Sequence, residues 1–307
     1  VKYDAVIAME DLNFGFKRGR FPVEKQVYQK FENMLISKLN LLIDKKADPT
    51  EDGGLLRAYQ LTNKFDGINK AKQNGIIFYV PAWDTSKIDP VTGFVNLLKP
   101  KSNTSMPEAK KLFETIDDIK YNANTDMFEF YIDYSKIPRC NSDFKKTWTV
   151  CTNSSRILRN KEKNNMWDNK QIVLTDEFKS LFNEFGIDYK DNLKNSILSI
   201  SNADFYGRLI KLLSLTLQMR NSITGSTLPE DDYLISPVAN ENGEFYDSRN
   251  YKGTNAALPC DADANGAYNI ARKALWAINV LKSTPDDMLN KAKLSITNAE
   301  WLEYTQK

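Results

Sequence analysis

Residues 4–13 read DAVIAMEDLN, a mostly apolar run that ends at two acidic residues, Glu10 and Asp11. The apolar and partly β-branched stretch from residue 3 to residue 9 predicts a strand buried in a sheet. Glu10 would then lie at the carboxyl end of that strand, where a rigid backbone holds its carboxylate in place. Glu10 is therefore the first candidate for a functional residue.

A basic stretch follows the two acids, with cations at Lys17, Arg18 and Arg20. Together with Lys25 and Lys30 they face a single acid within residues 17–30. Such a patch can bind a phosphate backbone, although a solvated helix face is the more common explanation of a charge run. Both interpretations stay open on this feature alone.

The first 80 residues have the pattern of an α/β sheet. Residues 23–46 predict a long amphipathic helix, and residues 75–81 predict a second buried strand that is closed by Pro81. Strand, helix and strand in this order indicate a layered α/β arrangement. The predicted apolar stripe of the helix consists of Val27, Phe31, Leu35, Leu39 and Leu42.

After Pro81 the pattern changes to that of an α+β segment. Alternating residues 128–134 predict a half-buried strand, residues 147–152 a short strand, and residues 175–185 and 203–220 two helices. This change of pattern predicts a separate domain that interrupts the α/β part.

A last helix begins near Asp261 and Asp263. Acids at a helix start often cap the helix or face its dipole, and that explanation competes evenly here with a role in a metal site. The residues expected on the apolar face of this helix are Ala267, Ile270, Ala271, Ala274, Leu275, Ile278 and Leu281.

The sequence of 307 residues contains no histidine. This excludes Ser-His-Asp and Cys-His nucleophilic sites and zinc bound by histidine. Chemistry near neutral pH would need carboxylates, lysine, arginine, tyrosine or a metal ion held by carboxylates. Mg²⁺ is the natural candidate, with Mn²⁺ as a possibility, because both prefer oxygen ligands.

Cysteine usage and apolar run lengths predict a cytoplasmic protein with no membrane partner. Cys140, Cys151 and Cys260 are too scattered for a disulfide framework, so we expect reduced, structural thiols. No apolar run approaches the ~20 residues of a membrane helix. Because the sequence begins at Val1, almost inside an apparent strand, we expect it to be a piece of a longer protein.

Seven blocks, in the same order and over nearly the whole chain, resemble the carboxyl-terminal part of the type V-A CRISPR effector, the RNA-guided DNA endonuclease with a single RuvC-type site. The blocks are Ala8-Met-Glu-Asp-Leu-Asn13, Val23-Glu-Lys-Gln-Val-Tyr-Gln-Lys30, Thr85-Ser-Lys-Ile-Asp-Pro-Val-Thr-Gly-Phe94, Leu217-Gln-Met-Arg-Asn-Ser222, Leu234-Ile-Ser-Pro-Val238, Tyr246-Asp-Ser-Arg249 and Asp261-Ala-Asp-Ala-Asn-Gly-Ala-Tyr268.

The resemblance implies an α/β RNase H-like (RuvC) mixed sheet with helices, interrupted by an inserted α+β Nuc domain. On that map residues 1–82 are the second RuvC segment, residues 83–260 the Nuc domain and residues 261–307 the third RuvC segment. The first RuvC segment would lie upstream of Val1. Residues 85–94 lie where related nucleases carry a cysteine-based zinc ribbon, but this sequence has Asp89 and no nearby thiol, so we predict no zinc.

The resemblance also implies site residues. Family sites use an aspartate, a glutamate and an aspartate as metal ligands. Glu10 matches the glutamate, Asp263 matches the last aspartate, and the first would lie in the upstream segment. Asp11 and Asp261 are adjacent acids that either adjust the metal site or lie on the solvated surface.

Arg220 matches the Nuc arginine that is associated with handling of the target strand, and Ser222 and Asp232 are its neighbours. A position at a helix end, facing the helix dipole, is the alternative explanation of Arg220. Lys17, Arg18 and Arg20 would contact the nucleic-acid backbone and not the bases, because guide pairing reads the sequence.

The function implied is hydrolysis of phosphodiester bonds by two-metal-ion catalysis, in an RNA-guided DNA endonuclease for antiviral defence in the prokaryotic cytoplasm. The implied partners are a guide CRISPR RNA, both strands of the target DNA and the upstream part of the same effector. The alternative is a non-catalytic nucleic-acid-binding scaffold, inactive without the upstream aspartate, and the isolated chain is predicted to be inactive. A transposon-type RNase H-like nuclease or integrase would share the acidic site but not the Nuc blocks.

Overall fold

A computed structural model of the chain describes its residues in several ranges. They are 7–11, 26–27, 30–31, 34, 48, 77–81, 83–101, 104–137, 147–161, 167–223, 228, 231–250, 258–285, 288 and 295–305. The chain divides into two compact units, which we call unit 1 (residues within 1–85 and 266–301) and unit 2 (residues within 86–265 and 302–307).

The regular elements are numbered in chain order. The strands are β1 (Ile7–Asp11), β2 (Ile77–Pro81), β3 (Asp118–Asn122), β4 (Met127–Asp133), β5 (Thr147–Cys151), β6 (Ser155–Lys161), β7 (Trp167–Val173), β8 (Arg220–Ser222), β9 (Asp232–Ala239) and β10 (Phe245–Asp247). The helices are α1 (Met106–Thr115), α2 (Leu174–Glu184), α3 (Leu193–Ser199), α4 (Ala203–Thr216), α5 (Ala262–Ser283) and α6 (Asn298–Thr305). Short 3₁₀ turns are formed by Thr85–Lys87, Tyr134–Lys136 and Ser248–Asn250.

In unit 1 the two predicted strands are confirmed and pair in parallel. Ile7 lies opposite Ile77 and Glu10 lies opposite Val80, so the carboxyl ends of β1 and β2 meet at the same edge. A parallel pair is buried by a helix laid across it, and here that helix is α5. Val80 packs with Ala274 and Ala277 in one apolar cluster.

The helix predicted between β1 and β2 is only partly within the described residues. Five of these residues are helical: Gln26, Val27, Lys30, Phe31 and Met34. The side chains of Val27 and Phe31, expected on a buried stripe, are 60% and 62% exposed. Burial of this part of the stripe was therefore predicted wrongly, while its helical conformation is confirmed.

The predicted apolar face of α5 was also partly wrong. Ala267, Ala271 and Leu275 are exposed, whereas Asn269 and Lys273 are buried at 0% and 2% exposure. The buried face of α5 therefore includes polar side chains. They are buried because they donate hydrogen bonds to main-chain carbonyl groups. A buried donor is tolerated where such an acceptor is available.

Unit 2 has an antiparallel sheet in the order β3-β4-β5, covered by helices. Strand β4 buries every second residue, as its alternating sequence predicts. Its Phe128 ring lies 5.5 Å from the ring of Phe178 and 5.3 Å from that of Phe182, both on α2. This aromatic cluster forms the centre of the helix–sheet core.

The remaining strands of unit 2 form the hairpin β6-β7 and the three-stranded sheet β10-β9-β8. The sequence predicted that a helix reaches Arg220, but α4 ends at Thr216 and Arg220 opens strand β8. The explanation of Arg220 as a helix-end cation is thereby excluded. Within the described ranges, none of the helices has the length and apolar content required to span a bilayer.

Candidate functional site

The carboxylate of Glu10 is fixed at the carboxyl edge of the β1–β2 pair. Glu10 is half-buried, and the hydroxyl group of Thr85 donates a hydrogen bond to its Oε1 atom at 3.0 Å. Thr85 itself is buried at 4% exposure and follows β2 by only a few residues. The bond joins positions 75 residues apart in sequence, so it depends on the tertiary structure.

Helix α5 holds the loop that carries Thr85. Lys273 Nζ donates to the carbonyl oxygens of Pro81 and Trp83 at 2.7 and 2.9 Å. Asn269, one turn earlier on the same face of the helix, donates its amide to the carbonyl oxygen of Thr85 at 2.9 Å. The carbonyl groups of Pro81, Trp83 and Thr85 therefore all accept hydrogen bonds from one helix.

Lys273 also places a positive charge near Glu10. Burial lowers the pKa of Lys273 to about 8, and the negative charges of Glu10 and Asp84 act in the opposite direction. The ammonium group lies 5.1 Å from the centre of the Trp301 ring, a cation–π geometry. At neutral pH Lys273 is still mostly protonated, so Glu10 lies within the field of a buried cation.

The two acids at the start of α5 have different roles. Asp261 caps the helix, because its Oδ1 atom accepts a hydrogen bond from the backbone N–H of Ala264 at 2.7 Å, as helix N-caps do. Asp263 lies in the first turn and its side chain is exposed. Glu10 belongs to unit 1 and Asp263 to unit 2, so the pairing of these two carboxylates stays a prediction.

In unit 2 the structure brings Arg220 together with its predicted neighbour Asp232. The guanidinium group binds the carboxylate in a two-pronged arrangement, with Nε–Oδ1 at 3.2 Å and Nη2–Oδ2 at 2.8 Å. The bond to Asp232 raises the pKa of Arg220, and the charges of Asp263 and Asp261 raise it further. Arg220 therefore shares one electrostatic environment with Asp263.

Ser222 lies opposite Asp232 in the β8–β9 register. Its hydroxyl oxygen accepts a hydrogen bond from Nη2 of Arg159 at 3.0 Å, and its carbonyl oxygen accepts from the same nitrogen. Two residues apart on β8, Arg220 and Ser222 project to the same side of the strand. An exposed arginine that the sequence did not indicate, Arg159, is thus anchored beside Arg220.

A second arginine missed by the sequence analysis, Arg156, is fully buried beneath β8. It donates to the carbonyl oxygens of Gln218 and Asn153 at 3.3 and 2.9 Å. The side chain of Gln218 in turn donates to the carbonyl oxygen of Arg220. Burial lowers the pKa of Arg156 to about 9, which leaves it charged at neutral pH. This network fixes the backbone from which Arg220 projects.

In the 85–94 block, Asp89 organises a tight turn. Its carboxylate accepts from the N–H of Val91 at 2.8 Å and from the hydroxyl of Thr92 at 2.6 Å. Asp89 is buried, and burial raises its pKa. The turn is therefore closed by hydrogen bonds that one aspartate accepts. The expected absence of zinc stays a prediction.

Glu10 fits a divalent metal ion in chemical type, since its carboxylate oxygens are the ligands that Mg²⁺ and Mn²⁺ prefer. Among the described residues, no group of three or more histidine, cysteine or acidic side chains is placed to hold a metal ion. Glu10 therefore fits as one ligand that requires further oxygen ligands. The predicted phosphate contacts Lys17, Arg18 and Arg20 lie outside the described residues.

One signal in the sequence was available for the missed residues of unit 1. Asn265, Asn269 and Lys273 recur every four residues in a helix that is otherwise rich in alanine, and this spacing places them on one face. Thr85 and Arg156 have no comparable local signal, because their partners are distant in sequence.

A comparison with protein families gives a match to the model described as "RuvC nuclease domain", over residues 1–307.

Proposed function

The chain belongs to the RuvC nuclease domain family, and on this premise we propose that it is the nuclease portion of an RNA-guided DNA endonuclease. Members of this family have an RNase H-like fold, hydrolyse nucleic acids and generally depend on divalent metal ions. The finer assignment is supported by the seven sequence blocks and by the ion pair of Arg220 with Asp232 in unit 2, on which the charge of Asp263 also acts.

Glu10 and Asp263 would hold the metal ions, Mg²⁺ or Mn²⁺, with a further aspartate from an upstream RuvC segment. Bound there, the ions would activate a water molecule and neutralise charge on the scissile phosphate. The chain's own contribution is to hold Glu10 at the carboxyl edge that β1 and β2 share. It also keeps a buried cation, Lys273, near that carboxylate.

Arg220 would bind the phosphate backbone of the target strand and draw it towards the acidic site. Its two-pronged geometry with Asp232 suits a planar guanidinium that exchanges one anionic partner for a phosphate. Ser222 would contribute a hydroxyl group to the same strand. Lys17, Arg18 and Arg20 would hold the backbone elsewhere, while the guide RNA selects the sequence.

The observation that carries this proposal is the fixed position of Glu10 at the shared carboxyl edge of β1 and β2 in a chain that matches the RuvC family throughout. The test uses the complete protein loaded with guide RNA. Glu10→Gln and Asp263→Asn should each abolish cleavage of both DNA strands, while guide-directed DNA binding stays intact. Glu241→Gln, at an exposed glutamate between β9 and β10, is the matched control and should cut normally.

Normal cleavage by either acidic-site variant would refute the assignment of that residue. A separate assay of the 307-residue chain alone with Mg²⁺ distinguishes catalysis from scaffolding. The chain alone should bind DNA and cut very little, because two carboxylates of three hold Mg²⁺ poorly. Efficient cutting by it would contradict the requirement for an upstream aspartate.

A further inference from the structure

We propose that Thr85 is a positioning residue for Glu10, and that Asn269 and Lys273 hold Thr85 in the required place. This inference rests on the proposed role of Glu10 as a metal ligand. It adds a function for three side chains to which neither the sequence blocks nor the family match gives a role.

The hydrogen bond from Thr85 restricts the side chain of Glu10. A glutamate side chain has three rotatable bonds, and ordering it has an entropic cost. The Thr85 hydroxyl donates to Oε1 at 3.0 Å from a buried and therefore restricted position. It thereby selects one orientation of the carboxylate before any metal ion binds.

Hydrogen bonds from helix α5 support the loop that carries Thr85. Its carbonyl oxygen accepts from Asn269 at 2.9 Å, and the carbonyl oxygens of Trp83 and Pro81 accept from Lys273 at 2.9 and 2.7 Å. Both donors are buried on α5, the helix that packs against β2. These hydrogen bonds restrict the conformation of the loop. The Thr85 hydroxyl group is therefore held in place by α5, the helix that also packs against β2.

Loss of the Thr85 hydroxyl group should weaken metal binding at Glu10. Groups that hydrogen-bond a metal ligand fix its direction, and their removal typically weakens metal binding 10–100-fold. Thr85→Val has nearly the same shape but no hydroxyl group, whereas Thr85→Ser keeps the donor. If the two variants differ in metal binding, the difference must come from the hydroxyl group of residue 85.

The experiment uses the complete protein with guide RNA and target DNA. The Mg²⁺ concentration for half-maximal cleavage should rise about tenfold in Thr85→Val and stay near the wild-type value in Thr85→Ser. Mn²⁺ binding, measured from the electron paramagnetic resonance signal of free Mn²⁺, should weaken in parallel. The difference between wild type and Glu10→Ala defines the binding that belongs to this site.

Thr216→Val is the matched control, because Thr216 is also buried and its hydroxyl group donates to Leu212 within its own helix. It should change neither readout. Equal defects in Thr85→Val and Thr85→Ser, or a slower reaction of Thr85→Val with unchanged Mn²⁺ binding, would overturn the positioning role. If Glu10→Ala cuts normally, the proposed function fails; if only Glu10→Ala is defective, the positioning role alone fails.

Discussion

Replacing Arg156 with methionine should destabilise the β6–β8 region of unit 2 by about 3 kcal/mol. The guanidinium group is fully buried. It donates to the carbonyl oxygens of Gln218, Asn153 and Ser155 and to the amide oxygen of Asn153. Methionine fills similar space but leaves these four acceptors without this donor.

Two opposing contributions decide the size of the effect. An acceptor left unsatisfied in the interior costs about 1–3 kcal/mol, so the two buried bonds, both to Asn153, account for roughly 4 kcal/mol. The partly buried bonds to Gln218 and Ser155 add a smaller amount. Against this, burial lowers the pKa of Arg156 from 12.5 to about 9. Methionine removes this cost of burying a charge, which offsets part of the loss of the hydrogen bonds. Because buried acceptors are left unsatisfied, the net effect is destabilising, by about 3 kcal/mol.

Hydrogen exchange of the complete protein, followed by mass spectrometry of peptides covering residues 153–159 and 218–222, measures this effect. A change of about 3 kcal/mol should accelerate exchange roughly a hundredfold. Arg159→Met, three residues along β6 at an exposed arginine, is the matched control and should change local stability by less than ~1 kcal/mol. Equal exchange in the two variants would refute the reasoning.

Two further predictions concern reactivity and pH. Iodoacetamide should modify the exposed Cys260 before the buried Cys151, whose pKa is raised to about 12 by burial; peptide mass spectrometry gives the order, and equal rates would contradict it. Burial raises the pKa of Asp89 above 3.8, so its contribution to stability is complete below that pH and is lost as pH rises through the folded-state pKa. Asp89→Asn should therefore gain in melting temperature relative to wild type between about pH 3 and pH 7, and a constant difference would argue against ionisation of a buried Asp89.

The local pattern of the sequence predicted much of the scaffold correctly. Continuous apolar runs were sufficient to predict β1 and β2, and an alternating pattern was sufficient to predict β4. A strand buried on one or both faces requires a particular spacing of apolar residues. The same spacing failed for α5. Its buried face includes Asn269 and Lys273, which are buried for their hydrogen bonds to the loop after β2 and not for their hydrophobicity.

Parts of the candidate site depended on the resemblance and on long-range contacts. Glu10 could be selected from the sequence because an acid ends an apolar strand, and Arg220 because its block resembles the Nuc arginine. The sequence placed Arg220 at a helix end, whereas it opens β8 and binds Asp232. The sequence did not indicate β8, because this strand has only three residues. Such a short strand forms because the neighbouring strand β9 supplies hydrogen-bond partners.

The sequence by itself predicted the class of chemistry: the absence of histidine, an acid at the end of a buried strand and acids at a helix start indicate carboxylates and metal ions. It also determined the periodic elements, since the spacing of apolar residues is a local property. The tertiary structure alone decided which donors reach which acceptors. Thr85 meets Glu10 across 75 residues, and Arg156 meets Gln218 across 62. Only the fold brings such distant donors and acceptors together, because the spacing of residues along the chain describes local periodicity alone.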